Sequence, residues 1–301
     1  MAQRAFCEFC KEKKIKYFEN EPMCQHTSFK TGGNADIFVK TADTSELSSV
    51  LNKLCELHIP YFIIGKGSNL LVSDKGIDGA VVSLSDMDKI TVEGECITAG
   101  AGASLAAVCV AALKNSLTGL EQLYGIPASV GGALYMNAGA YGGEMSQTVE
   151  SAQFIDENLK VQTINNEDMH LGYRTSVFKN KKCVITSVTF KLKKGNEEDI
   201  RLAMDDYMER RKSKQPLEYP SAGSTFKRPE GYFAGALIEK NGLKGKSVGG
   251  AMVSEKHAGF LINYSNATSD DVKSLMKIVA DTVFEADGVK LEPEVIFVGR
   301  E

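Results

Sequence analysis

Two glycine-rich segments carry the strongest chemical signal in this sequence. Gly65-Lys-Gly-Ser-Asn-Leu-Leu71 directly follows the apolar run Tyr61-Phe-Ile-Ile64. Gly65 and Gly67 allow close backbone approach, Ser68 and Asn69 add short donors, and successive N–H groups in such a turn can nest an anion. A phosphate cradle and an ordinary tight turn are both open readings of this loop. It is not the dinucleotide fingerprint, because Leu70 stands where the third glycine belongs. The second segment, Tyr124–Gly143, holds six of the chain's 28 glycines, interleaved with Ala, Ser and aromatics, and contains no acid or base. Such a stretch can lie flat against a large uncharged ring, offering backbone donors while its small side chains avoid collision. Six flexible residues carry an entropic cost, so ligand contact is expected here rather than a packed turn. One loop suited to phosphate and one suited to a flat ring suggest a dinucleotide held outside the Rossmann design.

Other arrangements fail on spacing. Gly245-Lys246-Ser247 resembles the end of a Walker loop, but the opening glycine would fall at Lys240. Ala222-Gly-Ser-Thr-Phe226 is not a nucleophile elbow, and the four histidines show no metal-binding spacing, so no metal is expected. Cys7 and Cys10 form a C-x-x-C pair that nothing completes into a zinc site; Cys55 and Cys109 in helical patterns, and Cys96 and Cys183 in strand-like ones, read as small core hydrophobes. Seven cysteines in a chain of 301 residues do not form a secreted disulfide framework. With 35 Lys+Arg against 39 Asp+Glu the formal charge is −4, which supplies no broad basic face for nucleic acid. No apolar run approaches the roughly 18–20 residues of a membrane span. The N-terminus has no signal-peptide character. A cytoplasmic protein without membrane insertion is expected, and a monomer.

The elements that must position these loops follow from periodicity. A strand over 36–40, a helix with Leu47, Val50, Leu51 and Leu54 on one face, and a strand at 61–64 form a β-α-β unit. Strands are expected near 80–84, 96–99, 150–156 and 183–192, with helices at 104–115 and 197–212. The last third predicts a helix at 233–241, strands at 248–253, 260–263 and 295–298, and a helix with Val272, Leu275, Met276, Val279 and Val283 on one face, capped at Thr268-Ser-Asp-Asp271. The class is α+β. The expected division is an N-terminal extension over 1–24, a ligand-binding domain over 25–195 and a second domain over 196–301.

Six motifs occur in order: Gly65–Asp74, Gly125–Gly142, Tyr173-Arg-Thr-Ser-Val-Phe-Lys179, Pro220-Ser-Ala-Gly-Ser-Thr-Phe-Lys227, Ser254-Glu-Lys-His-Ala-Gly-Phe260 and Leu291-Glu-Pro-Glu-Val295. Together they resemble the bacterial UDP-N-acetylenolpyruvoylglucosamine reductases (the MurB family), from about His26 to Gly299, in the shorter subclass without an extra tyrosine-bearing loop. The resemblance implies a vanillyl-alcohol-oxidase-type (PCMH-type) FAD-binding domain holding FAD non-covalently, followed by a substrate-binding α+β domain. It implies that NADPH reduces the flavin, which reduces the enolpyruvyl ether of UDP-N-acetylenolpyruvoylglucosamine to UDP-N-acetylmuramate, a peptidoglycan precursor.

Arg174 matches the family arginine that faces the charge developing on the substrate, Ser224 the proton donor, and Glu294 the catalytic glutamate, with Glu292 as its nearest competitor. The resemblance and the glycine pattern assign FAD to Gly65, Lys66, Gly67, Ser68 and Asn69 at the diphosphate. Gly125, Ile126, Pro127, Ser129, Val130, Gly131, Gly132 and Ala133 are assigned to the ring system. Tyr173, Lys214, Lys227, Arg228 and His257 are the candidates for substrate; Arg228 stands where some relatives carry asparagine. Without the family, Glu209-Arg-Arg-Lys-Ser-Lys214 would read as a solvated helix end. Two other readings stay open: a non-catalytic nucleotide-sugar binder, and a flavin oxidase of the same fold.

Overall fold

The computed structural model describes all residues 1–301. They form two compact units. The first comprises 1–18, 37–66 and 79–211, the second 19–36, 67–78 and 212–301.

The first unit is built around a five-stranded antiparallel sheet in the order Val161–Asn165, Val149–Ile155, Val184–Lys191, Cys96–Gly100, Ile90–Glu93. Tyr61–Ile64 pairs in parallel with residues 80–83. Helix α1 (Ala2–Lys13) buries Phe6, Cys7 and Cys10, and α2 (Thr44–Glu56) buries Leu47, Val50, Leu51 and Leu54, the face expected from their spacing. The start of α2 is set by Asp43, whose side chain accepts from the Glu46 N–H at 2.8 Å, and by Glu46, whose carboxylate accepts from the Ala42 N–H at 2.6 Å. Helix α3 (Leu105–Lys114), the short α4 (Val130–Tyr135) and α5 (Glu197–Lys214) complete it, with Ile200 and Met204 of α5 in the core.

The second unit has its own core, from Phe29 and Leu71 through Leu261 to Val295. Ser247–Val248, Ala251–Val253 and Leu261–Asn263 form an antiparallel sheet, and Leu70–Val72 pairs in parallel with Ile296–Val298. Helix α6 (Ala234–Lys240) precedes these sheet strands, and α7 (Ser269–Asp287) follows them. Helix α7 opens with the expected capping box, the Thr268 side chain accepting from Asp271 N–H and the Asp271 carboxylate from Thr268 N–H, and ends on Gly288 at φ +68°. No helix is long and apolar enough to cross a membrane.

These units differ from the expected division. Residues 1–18 are no extension, because the apolar face of α1 is part of the first core. The boundary falls at 211/212 instead of 195/196, since α5 closes the first core with Ile200 and Met204. The second unit also recruits 19–36 and 67–78, so the chain enters and leaves it more than once. Among the cysteines, Cys109 is buried, but Cys55 is exposed. It lies one residue beyond Leu54, off the face that α2 buries.

Candidate active site

In the first unit the two glycine segments meet where the Gly65 backbone abuts the Ser129 side chain. A Cβ placed on Gly65 would lie 2.0 Å from Ser129 Oγ, so the end of the Tyr61–Ile64 strand can touch the start of α4 only as glycine. Ser129 is buried and caps α4, its hydroxyl accepting from the Gly132 N–H at 3.3 Å. Three further bonds fix the stretch: Leu105 N–H to Ala128 O (3.0 Å), Val130 N–H to Ala103 O (2.9 Å) and Gly131 N–H to Ala101 O (2.8 Å). Gly131 packs so closely that its Cβ would sit 2.8 Å from that of Ala101. Lys66 is exposed and donates to Ser104 Oγ at 2.8 Å. Of the residues expected along a ring, Val130 and Ala133 point into the core, Gly125 and Ile126 are half-buried, and Pro127 and Gly132 are exposed. The result is a strip of backbone and small side chains, free of carboxylates from 124 to 143, beside one lysine. A flat anionic cofactor fits it: a side chain at Gly65 or Gly131 would close the strip, and no acid would repel the phosphates.

Arg174 also lies in this unit. It stands at φ +52°, an unusual backbone state for a residue with a Cβ, at the tip of a tight turn. Gly172 and Thr175 close the turn by exchanging two backbone bonds of 3.2 Å. The turn is tied to the segment after α4: buried Asn137 donates to Gly172 O at 3.1 Å and accepts from Ser146 N–H at 2.9 Å, and Ser176 Oγ donates to Tyr135 O at 2.7 Å. Lys179 Nζ donates to Arg174 O at 2.7 Å, and the guanidinium carbon lies 5.1 Å from the ring centroid of exposed Tyr173. Asn137 and Ser176 were not singled out from sequence, because the carbonyls to which they donate are supplied by other segments.

The second unit holds Ser224 and Glu294 on adjoining segments. Ser224 is exposed and follows Gly223, at φ +75°. The next residue, Thr225, is fully buried: its N–H donates to Gly259 O (2.9 Å), its hydroxyl accepts from Leu261 N–H (3.0 Å), and its carbonyl accepts from Glu294 N–H (2.9 Å). Phe226 and Pro293 form an antiparallel bridge, and Lys227 N–H donates to Glu292 O at 2.8 Å. Three of the six motifs are thus laced into one backbone network. Glu292 is exposed and ion-paired with Lys227 at 3.1 Å, whereas Glu294 is half-buried, which separates the two acids of Leu-Glu-Pro-Glu-Val.

Some expected ligand groups have other tasks. Gly67 is buried at φ +60°, with no space for a Cβ, which would lie 2.2 Å from His26 O. Asn69 Nδ2 donates to Glu294 O at 3.1 Å and Asn69 O accepts from Ile296 N–H at 2.9 Å, so Asn69 positions the glutamate strand. His257 Nδ1 accepts from Gly259 N–H at 3.0 Å, and burial pushes the imidazole below its ordinary pKa. That makes it a weaker candidate for a diphosphate than the lysines. Arg228 packs on Phe233 at 3.9 Å from the ring centroid, and Lys214 is exposed at the end of α5. Ser68 is half-buried.

Known proteins share this design. A curated UDP-N-acetylenolpyruvoylglucosamine reductase of Clostridium perfringens is 50% identical over 295 residues, covering 98% of this chain and 96% of its own. The chain belongs to that family. A namesake from Caldanaerobacter subterraneus is 49% identical, with 96% of each chain covered. The crystal structure of the family member from Thermus caldophilus superposes with a TM-score of 0.81 at 33% identity, over 94% of this chain and 98% of that one. Residues 35–165 match the FAD binding domain family, and residues 215–298 match the C-terminal domain of UDP-N-acetylenolpyruvoylglucosamine reductase. The α+β fold is that of an FAD binding domain followed by the family's C-terminal domain.

Proposed function

We propose that this chain reduces UDP-N-acetylenolpyruvoylglucosamine to UDP-N-acetylmuramate with electrons from NADPH, in the synthesis of peptidoglycan precursors. The observation that carries this is the nearly full-length match at 50% identity to a reductase of that name, in a chain that has Arg174, Ser224 and Glu294 in three separate family motifs. A protein that only bound a nucleotide sugar would need none of the three together.

FAD would be held by Gly65, Lys66, Gly67 and Ser68 at its diphosphate and by residues 125–133 along its ring. When bound it supplies the hydride for the enolpyruvyl double bond and is itself recharged by NADPH. The chain's own residues do the rest. Arg174, a guanidinium that stays charged, grips the substrate carboxylate and stabilises the negative charge that grows there. Ser224 gives its hydroxyl proton to the carbon beside that carboxylate; a hydroxyl is a weak acid, and an enolate carbon is basic enough to take from it. Glu294 accepts hydrogen bonds in the same network. Lys214 and Arg228 carry the charge for the sugar diphosphate, and Tyr173 supports substrate. Lys227, held by Glu292, is a weaker contributor. The protein would act in the cytoplasm, where its nucleotide substrates are made, as a monomer.

The test is product identification. Incubation with NADPH and UDP-N-acetylenolpyruvoylglucosamine yields a species heavier by two hydrogens that co-elutes with UDP-N-acetylmuramate. Unchanged substrate, or oxygen-dependent turnover of a small alcohol or sugar instead, would refute the assignment.

A further inference from the structure

Arg211 is a cation of the first unit, set against the glycine-rich stretch, that the reaction has not used. It belongs to the run Glu209–Lys214, which by composition is a solvated helix end. The structure makes an exception of this one residue. Its Nε is sealed from solvent and has no hydrogen-bond partner. Its side chain lies against the glycine-rich stretch, close enough that a Cβ on Gly125 would fall 2.8 Å from Arg211 Cδ. One helical turn earlier, Tyr207 stacks on Tyr141 of the same stretch, with ring centroids 5.3 Å apart and planes at 25°. Helix α5 therefore presses two residues, four apart, onto the two ends of the segment 125–141.

We propose that Arg211 is a residue of the cofactor site, with its guanidinium set against the flavin to favour the electron-rich, reduced form. This rests on the reading of 125–133 as the strip that holds FAD. A guanidinium N–H sealed from water without an acceptor is costly to keep, and it persists where an anion or a strong acceptor completes it. Burial is the dominant influence on the proton affinity of Arg211 and lowers it. Among the other cations near the stretch, Lys66 is assigned to the diphosphate, Arg174 to the substrate, and Lys179 donates to the Arg174 carbonyl. A fixed positive charge beside a flavin lowers the energy of the ring when it carries two more electrons, and so raises its reduction potential.

The experiment is an equilibrium redox titration of the holoenzymes, wild type, Arg211→Met and Arg211→Lys, with melting of each FAD-free protein alongside. Arg211→Met should weaken binding of reduced FAD at least tenfold relative to oxidised FAD, which is a midpoint about 30 mV more negative for a two-electron couple. Arg211→Lys should stay nearer the wild-type midpoint. The FAD-free Arg211→Met protein should melt no lower than wild type, because it has lost a sealed N–H that had no acceptor. Gly125→Ala, which pushes the side chain away without removing it, should shift the midpoint in the same direction by less. An unchanged midpoint in Arg211→Met, or a lowered melting temperature without a change in midpoint, would make Arg211 a packing residue and overturn the proposal. Failure of the wild-type protein to take up FAD at all would instead bring down the cofactor reading on which it rests.

Discussion

The first unit presents its candidate site as main chain, and the second presents its site as side chains. Between Gly65 and Gly132 the decisive atoms are amides, carbonyls and missing Cβ groups, held in place by Ser129, Ala101 and Ala103. Around Ser224 and Glu294 the decisive atoms are a hydroxyl and a carboxylate, each carried on a short segment whose backbone is tied to its neighbour through Thr225. A large uncharged ring is best met by a surface with nothing protruding, and a proton must be delivered by one atom at one place. On the proposed function the two tasks need different kinds of rigidity. Arg174 combines both, since it is a side chain whose aim depends on a turn closed by backbone and on Asn137.

The comparison breaks most easily at Ser224. Ser224→Ala should leave reduction of the flavin by NADPH at the wild-type rate and slow its reoxidation by substrate about 10²–10⁴-fold, the usual worth of a positioned proton donor. Stopped-flow absorbance of the two half-reactions reads both, and equal losses would remove Ser224 from proton delivery. Next comes Asn137→Ala, which leaves the Ser146 N–H without its partner and takes from the half-buried Gly172 carbonyl one of its two donors, Thr175 N–H remaining. It should lower stability by about 1–3 kcal/mol in urea titration and weaken substrate turnover more than FAD binding. If turnover followed stability alone, Asn137 would not aim Arg174. Gly65→Ala tests the main-chain side. The added methyl meets Ser129 Oγ, so FAD affinity should fall by the equivalent of about 1–3 kcal/mol in a fluorescence titration, and unchanged affinity would show that this contact does not shape the cofactor site.

The smallest effect is a pH dependence confined to the second unit. His257 has a depressed pKa in the folded protein, so its stabilising contribution is fully present above the ordinary imidazole value of 6.5 and is lost as pH falls toward and through the folded value. Protonation also removes the acceptor for Gly259 N–H. Below about pH 6.5 the wild type should lose stability faster than His257→Gln, as read by thermal melting across pH; parallel curves would exclude the imidazole.

The sequence was most informative where a residue's type decides its place. The apolar faces of α2 and α7, the capping box at Thr268 and the glycine-rich stretch were legible because spacing alone places them. The interleaved units were not, since nothing local in 19–36 or 67–78 says which core these segments join. Asn69 and His257 carried the right donors and acceptors for a phosphate site, and only the fold revealed that Glu294 O and Gly259 N–H already engage them. Arg211 was masked by its neighbours, for a run of charges does not show which member turns inward.

Protein side chains do not absorb in the visible, so absorbance there follows the cofactor, and with no tryptophan in the chain no indole emission overlaps the flavin. The most direct measurement is an anaerobic cycle on the purified holoprotein: NADPH is added first, then UDP-N-acetylenolpyruvoylglucosamine. The account predicts a yellow protein that bleaches with NADPH and regains its colour on stoichiometric addition of the enolpyruvyl sugar. A protein that bleaches but stays colourless until air is admitted, or one that never takes up FAD, would contradict it.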